Sequence, residues 1–520
     1  MLPTGTKLPF LPVLSMSLRV AAVGLILLAV ADAPVWAAKK GQVEFRVVDS
    51  KSGEPIAVRM HLTDQKQKVV KPPKSVFWHD HFVFDGSIKL ELAPGNYAFE
   101  MERGPEYKIR TGYFTIEDNA SDVKELTMER FLDMTDEGWY SGDLAVMRPA
   151  SDMEVLLKAE DLRVAPVVAW TGKATAKSIA AEPVSCDGGK RWYQLSAGRD
   201  DRDAAALLLF GLETPLGLAA AVKEAPSSVA FAAEAHETRG SFVVAERPTA
   251  WDLPALVAAG QLDAVLLAHP GLERDGTPVK DPPGKPRENV RYPNPQGLGR
   301  WSQDVYYQLL NAGLRLPPAA GSGSGYAPNP VGYNRVYVHV EGEFTWDKWW
   351  QGLRAGRVVV TNGPVMQPTV DGHLPGHVFQ AGQGETLELS IALNLSTREK
   401  IEYMEVIKDG RSVHEVRLDK WAEANGKLPP VRFTESGWML VRAVTANEKT
   451  YRYATSGPFY VEIGYQPRIS KKAAQFFADW TLERAKQIKL EPGEQRDAVM
   501  QYHRAARDFW ESKLEKANAE

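Results

Sequence analysis

Residues 138–170 read GWYSGDLAVMRPASDMEVLLKAEDLRVAPVVAW, and this stretch decides the fold. Gly138 to Met147 has the make-up of a strand whose end opens into a site. A helix is predicted over residues 152–162, capped by Ser151 or Asp152, with Met153, Leu156, Leu157, Glu160 and Leu162 in partial helical spacing. Residues 164–170 form a second apolar strand. Strand, helix and strand within about thirty residues make one βαβ unit of a parallel sheet or barrel. Sites in such folds lie at the carboxyl ends of the strands.

The same alternation runs outward from this unit. Strands are predicted at 205–212, 241–246, 262–269, 335–340 and 357–361, and helices at 253–259, 303–311 and 346–355. Residues 275–299, rich in Pro, Gly and charge, read as a surface excursion of the kind that covers a site. On the N-terminal side, residues 41–128 alternate as β-structure, with turns at Ser52-Gly53-Glu54-Pro55 and Ala93-Pro94-Gly95-Asn96. On the C-terminal side, residues 364–465 form a second β-sandwich. Ala473, Phe477, Trp480 and Ile488, then Val499, Tyr502, Ala506 and Phe509, mark two amphipathic helices that pack on the body.

The balance of 62 basic and 66 acidic residues carries no nucleic-acid signature. Lys7 and Arg19 precede an apolar run at 20–30, and Val35 and Ala37 suit signal peptidase, so residues 1–37 read as a secretory signal. No later run is long and apolar enough to span a bilayer, and an exported protein without a transmembrane span in its mature chain is expected. The single cysteine, Cys186, excludes an internal disulfide.

Gly142-Asp143-Leu144-x-Val146-x-Arg148-Pro149, followed by Ala159-Glu160-Asp161-Leu162, resembles the opening of the polymerase and histidinol phosphatase (PHP) superfamily. The nearest type is the CehA/McbA metallohydrolases, and residues 356–364, GRVVVTNGP, resemble the segment that closes their barrel. The resemblance spans Trp139 to about Gly376. It implies a distorted (βα)7 barrel over residues 131–363. The N-terminal part, residues 38–130, resembles a carboxypeptidase-regulatory-like β-sandwich through its Pro-Gly-x-Tyr turn, and residues 466–520 form the helical tail.

The resemblance also implies a degenerate metal site. The family's His-x-His falls on Ala145 and Met147, a further histidine on Phe242, and the ligands of Gly-Ser-Asp-x-His on Gly323 and Gly325. Hydrolysis by a bound cation needs several converging ligands, so no cofactor is expected, with Zn or Mn as the alternative. Asp143, Glu160, Glu246 and His269 remain as candidate pocket residues, with His236 and Glu237 behind them.

Outside this region His79 and His81 form the one close histidine pair. At i and i+2 of a strand both rings would share a face and could hold a metal, with His61 able to approach in space.

Three readings stay open. The first is a pseudoenzyme that binds a small molecule or glycan, with Trp139, Tyr140, Trp170, Trp251 and Trp301 as aromatic faces. The second is an active metal-dependent hydrolase of ester, carbamate or phosphoester bonds with a rearranged site. The third is a structural or interaction protein acting through its β-sandwiches. The sequence leaves oligomeric state open.

Overall fold

The computed structural model describes residues 39–173, 179–424 and 426–520. The signal-like segment 1–37 lies outside the described residues.

The chain is a multidomain protein of several β-sheets and helices, closed by C-terminal helices. It begins with β1 (Gly41–Asp49), β2 (Ala57–Asp64), β3 (Val76–Trp78), β4 (His81–Asp85), β5 (Ser87–Leu92), β6 (Gly95–Glu102), β7 (Arg110–Ile116) and β8 (Ser121–Met128). These form a three-stranded sheet, β5-β1-β8, and a five-stranded sheet, β3-β4-β2-β6-β7. Alternation along each strand sends every second side chain between the sheets. Val58, Met60 and Leu62 of β2 join Tyr97, Phe99 and Met101 of β6 in that core. The opposite face is also covered. There Ala57 and Val83 meet Met153, Leu156 and Leu157 of the next segment in a second core.

The central segment runs β9 (Trp139–Gly142), α1 (Met153–Ala159), β10 (Val164–Thr171), β11 (Ala180–Cys186), β12 (Arg191–Asp200), β13 (Leu207–Phe210), α2 (Ser228–His236), β14 (Phe242–Ala245), α3 (Leu253–Ala258), β15 (Ala264–Ala268), α4 (Gly297–Asn311), β16 (Pro318–Ala320), β17 (Arg335–His339), α5 (Trp346–Arg354) and β18 (Val358–Thr361). The opening βα unit forms as the spacing predicts, and β10 pairs parallel with β9. Neither expected cap acts on α1: Ser151 Oγ donates to Asp152 Oδ1 at 3.0 Å, and no side chain caps the helix.

The sheet is mixed rather than an alternating (βα)7 barrel. β9, β10 and β12 run parallel, as do β14, β15 and β16, but β12, β13 and β14 are successively antiparallel. The link from β12 to β13 is too short to hold a crossover helix, which a parallel pair requires. The sheet nonetheless curls back, because Leu144 N donates to Ala320 O at 3.0 Å, joining the segment after β9 to β16.

β18 pairs antiparallel with β26 (Tyr453–Ser456), so the sheet continues into the C-terminal β-structure. There β22 (Ile401–Lys408), β25 (Gly437–Thr445) and β27 (Phe459–Ile463), with β20 (Val378–Ala381) beside β27 and β23 (Arg411–Val416) beside β22, face a smaller sheet, β19 (Val365–Val370), β21 (Leu387–Ser396) and β24 (Lys427–Phe433), across one core. The short α6 (Leu418–Glu423) precedes β24. The last helices, α7 (Lys471–Gln487) and α8 (Glu494–Glu515), pack on each other and on α3. Ser470 caps α7, Phe477 stacks on Trp510 at 4.7 Å, and Trp510 Nε1 donates to Pro254 O at 3.2 Å. No helix among the described residues is long and apolar enough to cross a membrane.

Candidate metal centre

β2 places His61 opposite His81 of β4 and opposite Glu100 of β6. Trp78 pairs with His81, so His79 and Asp80 form the two-residue turn of the β3–β4 hairpin. The expected His79/His81 pair on one strand face is therefore corrected. His79 sits at the hairpin tip with φ +48° and its side chain 57% exposed, while His81 is buried. Cross-strand pairing supplies His61 instead, with its ring centroid 5.2 Å from that of His81.

Asp80 lies between the two imidazoles. Its Oδ2 is 3.1 Å from His61 Nδ1 and its Oδ1 is 2.9 Å from His81 Nδ1. One ligand atom each from His61, Asp80 and His81 lie within 4.8 Å of one another, and His61, Glu100 and Glu102 form a second such group. His61 Nε2 is buried without a hydrogen-bond partner, which leaves a lone pair or N–H unspent at the junction of the two groups. The expectation that no cofactor would bind is overturned by these clusters: the chain has residues able to hold Zn or Mn, away from the family's ligand positions.

The electrostatics favour the first group. Burial, aided by the Arg59 charge, pushes His81 down to about 3 against the pull of Asp80, so its ring is neutral and free to ligate at ordinary pH. Burial opposes ionisation of Asp80, yet hydrogen bonds from His61 and His81 outweigh it and hold the carboxyl below its usual range. Two imidazoles and a carboxylate form a donor set suited to zinc, manganese or iron. In the second group the carboxylates already carry guanidinium partners. Glu100 pairs with Arg274, and Glu102 with Arg59 at 2.7 Å, Arg274 at 2.8 Å and Arg398 at 3.0 Å. A cation there would displace those pairs.

The hairpin is seated on the central segment. Trp78 Nε1 donates to Ala327 O at 2.9 Å, and the Arg148 guanidinium lies 5.2 Å from the Trp78 ring centroid. The triad thus lies in the N-terminal sheet, with Asp80 and His81 on the hairpin that touches the loop after Gly325 and His61 on β2 beside it.

The residues singled out from the sequence fall in several places. Ala145 and Met147 meet the glycine loop, through Gly323 N to Ala145 O and Met147 N to Ser324 O, both at 2.8 Å. Gly323 has φ +74° and Gly325 φ +107°, and a Cβ on Gly325 would stand 1.9 Å from Met147 O. Phe242 starts β14, at the end opposite Glu246, and packs on Trp350 at 5.3 Å.

Asp143 is fully buried and accepts from Ala145 N at 3.0 Å, Ser322 N at 2.9 Å, Gly332 N at 2.7 Å and the Ser322 hydroxyl. Burial still raises its pKa. Glu160 binds Arg59 at 2.6 Å. Glu246 accepts from Arg199 at 2.9 Å and Tyr326 at 2.6 Å, and its Oε2 is a buried atom without a partner.

His269 accepts from Gly271 N at 3.2 Å through Nδ1, which leaves Nε2 to donate to Ser302 Oγ at 2.9 Å. None of these four belongs to a metal-capable group among the described residues. His236 bonds Gln261 and Asp263, and Glu237 only ends α2. Trp139 and Trp170 are core residues. Trp251 packs edge-on to Trp480. Tyr140 stacks on Phe344 at 4.1 Å. Trp301 lines a cleft of about 610 Å³ with Thr249, Asp281 and Lys285, beneath the 275–299 excursion.

Glu102 reads in sequence only as the start of a dense charged loop, residues 102–107, and Glu100 carries no signal of its own. Tyr97, Phe99 and Met101 point into the core, so Ala98, Glu100 and Glu102 share the other face. That face is not solvent but the seam with the central segment.

No family model and no curated protein matches the chain. Among solved structures, it is similar over short segments to the Bacillus anthracis TIE protein, at 21% identity over 22% of this chain and 20% of that one, TM-score 0.15. The pilus-presented adhesin Spy0125 (Cpa) matches at 16% identity over 18% of this chain and 28% of that one, TM-score 0.14. Phospholipase PlaB from Legionella pneumophila matches at 16% identity over 19% of this chain and 26% of that one, TM-score 0.14. The chain spans less than a third of each of these proteins, and overlaps this small carry no argument about its fold or activity.

Proposed function

We propose that the protein is a metal-dependent hydrolase of ester, carbamate or phosphoester bonds with a rearranged site. The observation that carries this reading is the His61–Asp80–His81 group, with its neutral buried imidazole and ionised carboxylate. Three protein ligands leave a coordination position for water or substrate, as catalytic zinc sites do. A bound cation would supply Lewis-acid polarisation of the scissile group. The frame is a PHP-like domain of CehA/McbA type over residues 131–363. Support for it is the meeting of Ala145 with Gly323 and of Met147 with Ser324, the two stretches that carry ligands in that family. A carboxypeptidase-regulatory-like sandwich at 38–130 supplies the replacement ligands, and 364–465 and 466–520 buttress the body. In this reading residues 1–37 export the chain, and its substrate is a small molecule or carbohydrate derivative.

The test is turnover of p-nitrophenyl acetate and bis-p-nitrophenyl phosphate by the full chain loaded with zinc or manganese. Hydrolysis that requires added metal and disappears in both His61→Ala and Asp80→Asn supports the reading. Absence of turnover on either substrate, or turnover unchanged in both variants, refutes it.

A further inference from the structure

Arg59, Arg274, Arg335, Arg398 and Arg452 surround one cavity of about 30 Å³, where the N-terminal sheet, the central segment and the C-terminal β-structure meet. Two carboxylates, Glu102 and Glu160, share its wall. Four of the guanidiniums have carboxylate partners: Arg59 with Glu102 and Glu160, Arg274 and Arg398 with Glu102, and Arg452 with Glu399.

Arg335 differs. It is 2% exposed and makes no ion pair among the described residues. Its Nε donates to Gly332 O at 2.6 Å and its Nη2 to Glu160 O at 3.1 Å, both backbone carbonyls. Its Nη1 is a buried donor without a hydrogen-bond partner. The Tyr337 hydroxyl on the same strand donates to Glu106 at 2.8 Å. Arg59 Nε and Arg452 Nε are also buried and unpartnered.

The Glu160 charge acts on Arg335 through space, but no carboxylate bonds it and its Nη1 stays a buried, unpartnered donor. Such a donor is costly to leave unpaired, and planar guanidiniums match oxyanions in geometry. Gly104 lets the chain close on this wall without a side chain: a Cβ there, at φ +62°, would stand 2.5 Å from Glu160 O and 3.1 Å from Arg335 Nη1. At 10–15 Å³ for one water-sized atom, the space holds roughly two or three oxygens, the size of a carboxylate or the face of a phosphoryl group.

We propose that this cavity is an oxyanion site, which receives a phosphate or carboxylate group on Arg335 and clamps the three parts of the chain together. The proposal is independent of the metal centre. A purely structural ion-pair network would not respond to one anion over another.

The experiment is thermal unfolding and titration calorimetry of the full chain with inorganic phosphate, and separately acetate, against chloride at matched ionic strength. Phosphate or acetate should raise the midpoint saturably, and the one that does so identifies the class of oxyanion. Arg335→Met should bind about tenfold or more weakly, as expected for loss of a charge-assisted pair. Should that variant not fold, Arg398→Gln at the rim gives the same reading, with binding weakened several-fold. No midpoint shift with either anion in the wild type, or an undiminished shift in whichever of the two variants folds, overturns the proposal.

Discussion

The Trp78 indole donates to the Ala327 carbonyl at 2.9 Å, and this bond ties the hairpin bearing Asp80 and His81 to the loop that follows Gly325. The two residues are far apart in sequence and belong to different sheets or loops. The bond therefore positions a metal-capable turn from one domain over the central segment.

Trp78→Phe keeps an aromatic ring but removes that bond and weakens the contact with Arg148. A loss of about 1–2 kcal/mol in stability is expected from the unpaired carbonyl and the poorer cation–π face. Urea unfolding measures it. The affinity for zinc should also fall, since the turn that carries Asp80 is freed.

His81 and His269 are both buried and held to about 3. Each folded value lies below the ordinary value of about 6.5. Their share of stability is thus fully present above about pH 6.5 and is lost as pH falls toward 3. The slope is up to about 1.4 kcal/mol per pH unit for each ring. Urea midpoints between about pH 7 and pH 4 should fall accordingly, and His81→Gln should make the fall shallower by about one proton.

The glycine loop does not accept the family's ligands. A side chain at position 325 meets the Met147 carbonyl and needs a backbone angle that L-residues rarely adopt. Gly325→His is expected to cost more than about 3 kcal/mol or to prevent folding, as named steric conflicts of this kind do. Soluble yield and the thermal midpoint decide it. A stable variant would show that the loop relaxes.

Arg484 of α7 is buried between Asp252 at 2.7 Å and Glu224. Arg484→Met strands two buried carboxylates, at a cost of about 3–5 kcal/mol for breaking a buried pair. Release of the last two helices should appear as new protease cleavage near residue 470, absent in the wild type.

The strand order of the central segment was legible only where the connection carried a helix. The spacing of Met153, Leu156 and Leu157 gave α1, and the apolar run at 164–170 gave β10, because both signals are local. The antiparallel turn-back through β11, β12 and β13 was not legible, since it depends on which strands pair. The metal group was half legible. His79 and His81 stood out as a close pair and His61 as able to approach, and the β2–β4 register brings His61 to His81; but the shape of the turn sends His79 outward, and Asp80, which no spacing marked as a ligand, takes its place. Glu160 looked like a site residue. It is instead the partner of Arg59, a contact between domains that no local pattern encodes.

The most direct measurement is the metal content and zinc affinity of the full chain, taken beside His61→Ala and His81→Ala. Close to one zinc or manganese ion per chain is expected after purification without chelators. Each variant should lose the ion while the folded state survives, as judged by circular dichroism. A wild-type protein that stays metal-free after zinc loading and dialysis, or bound metal retained in both variants, would show that His61, Asp80 and His81 do not form a metal centre.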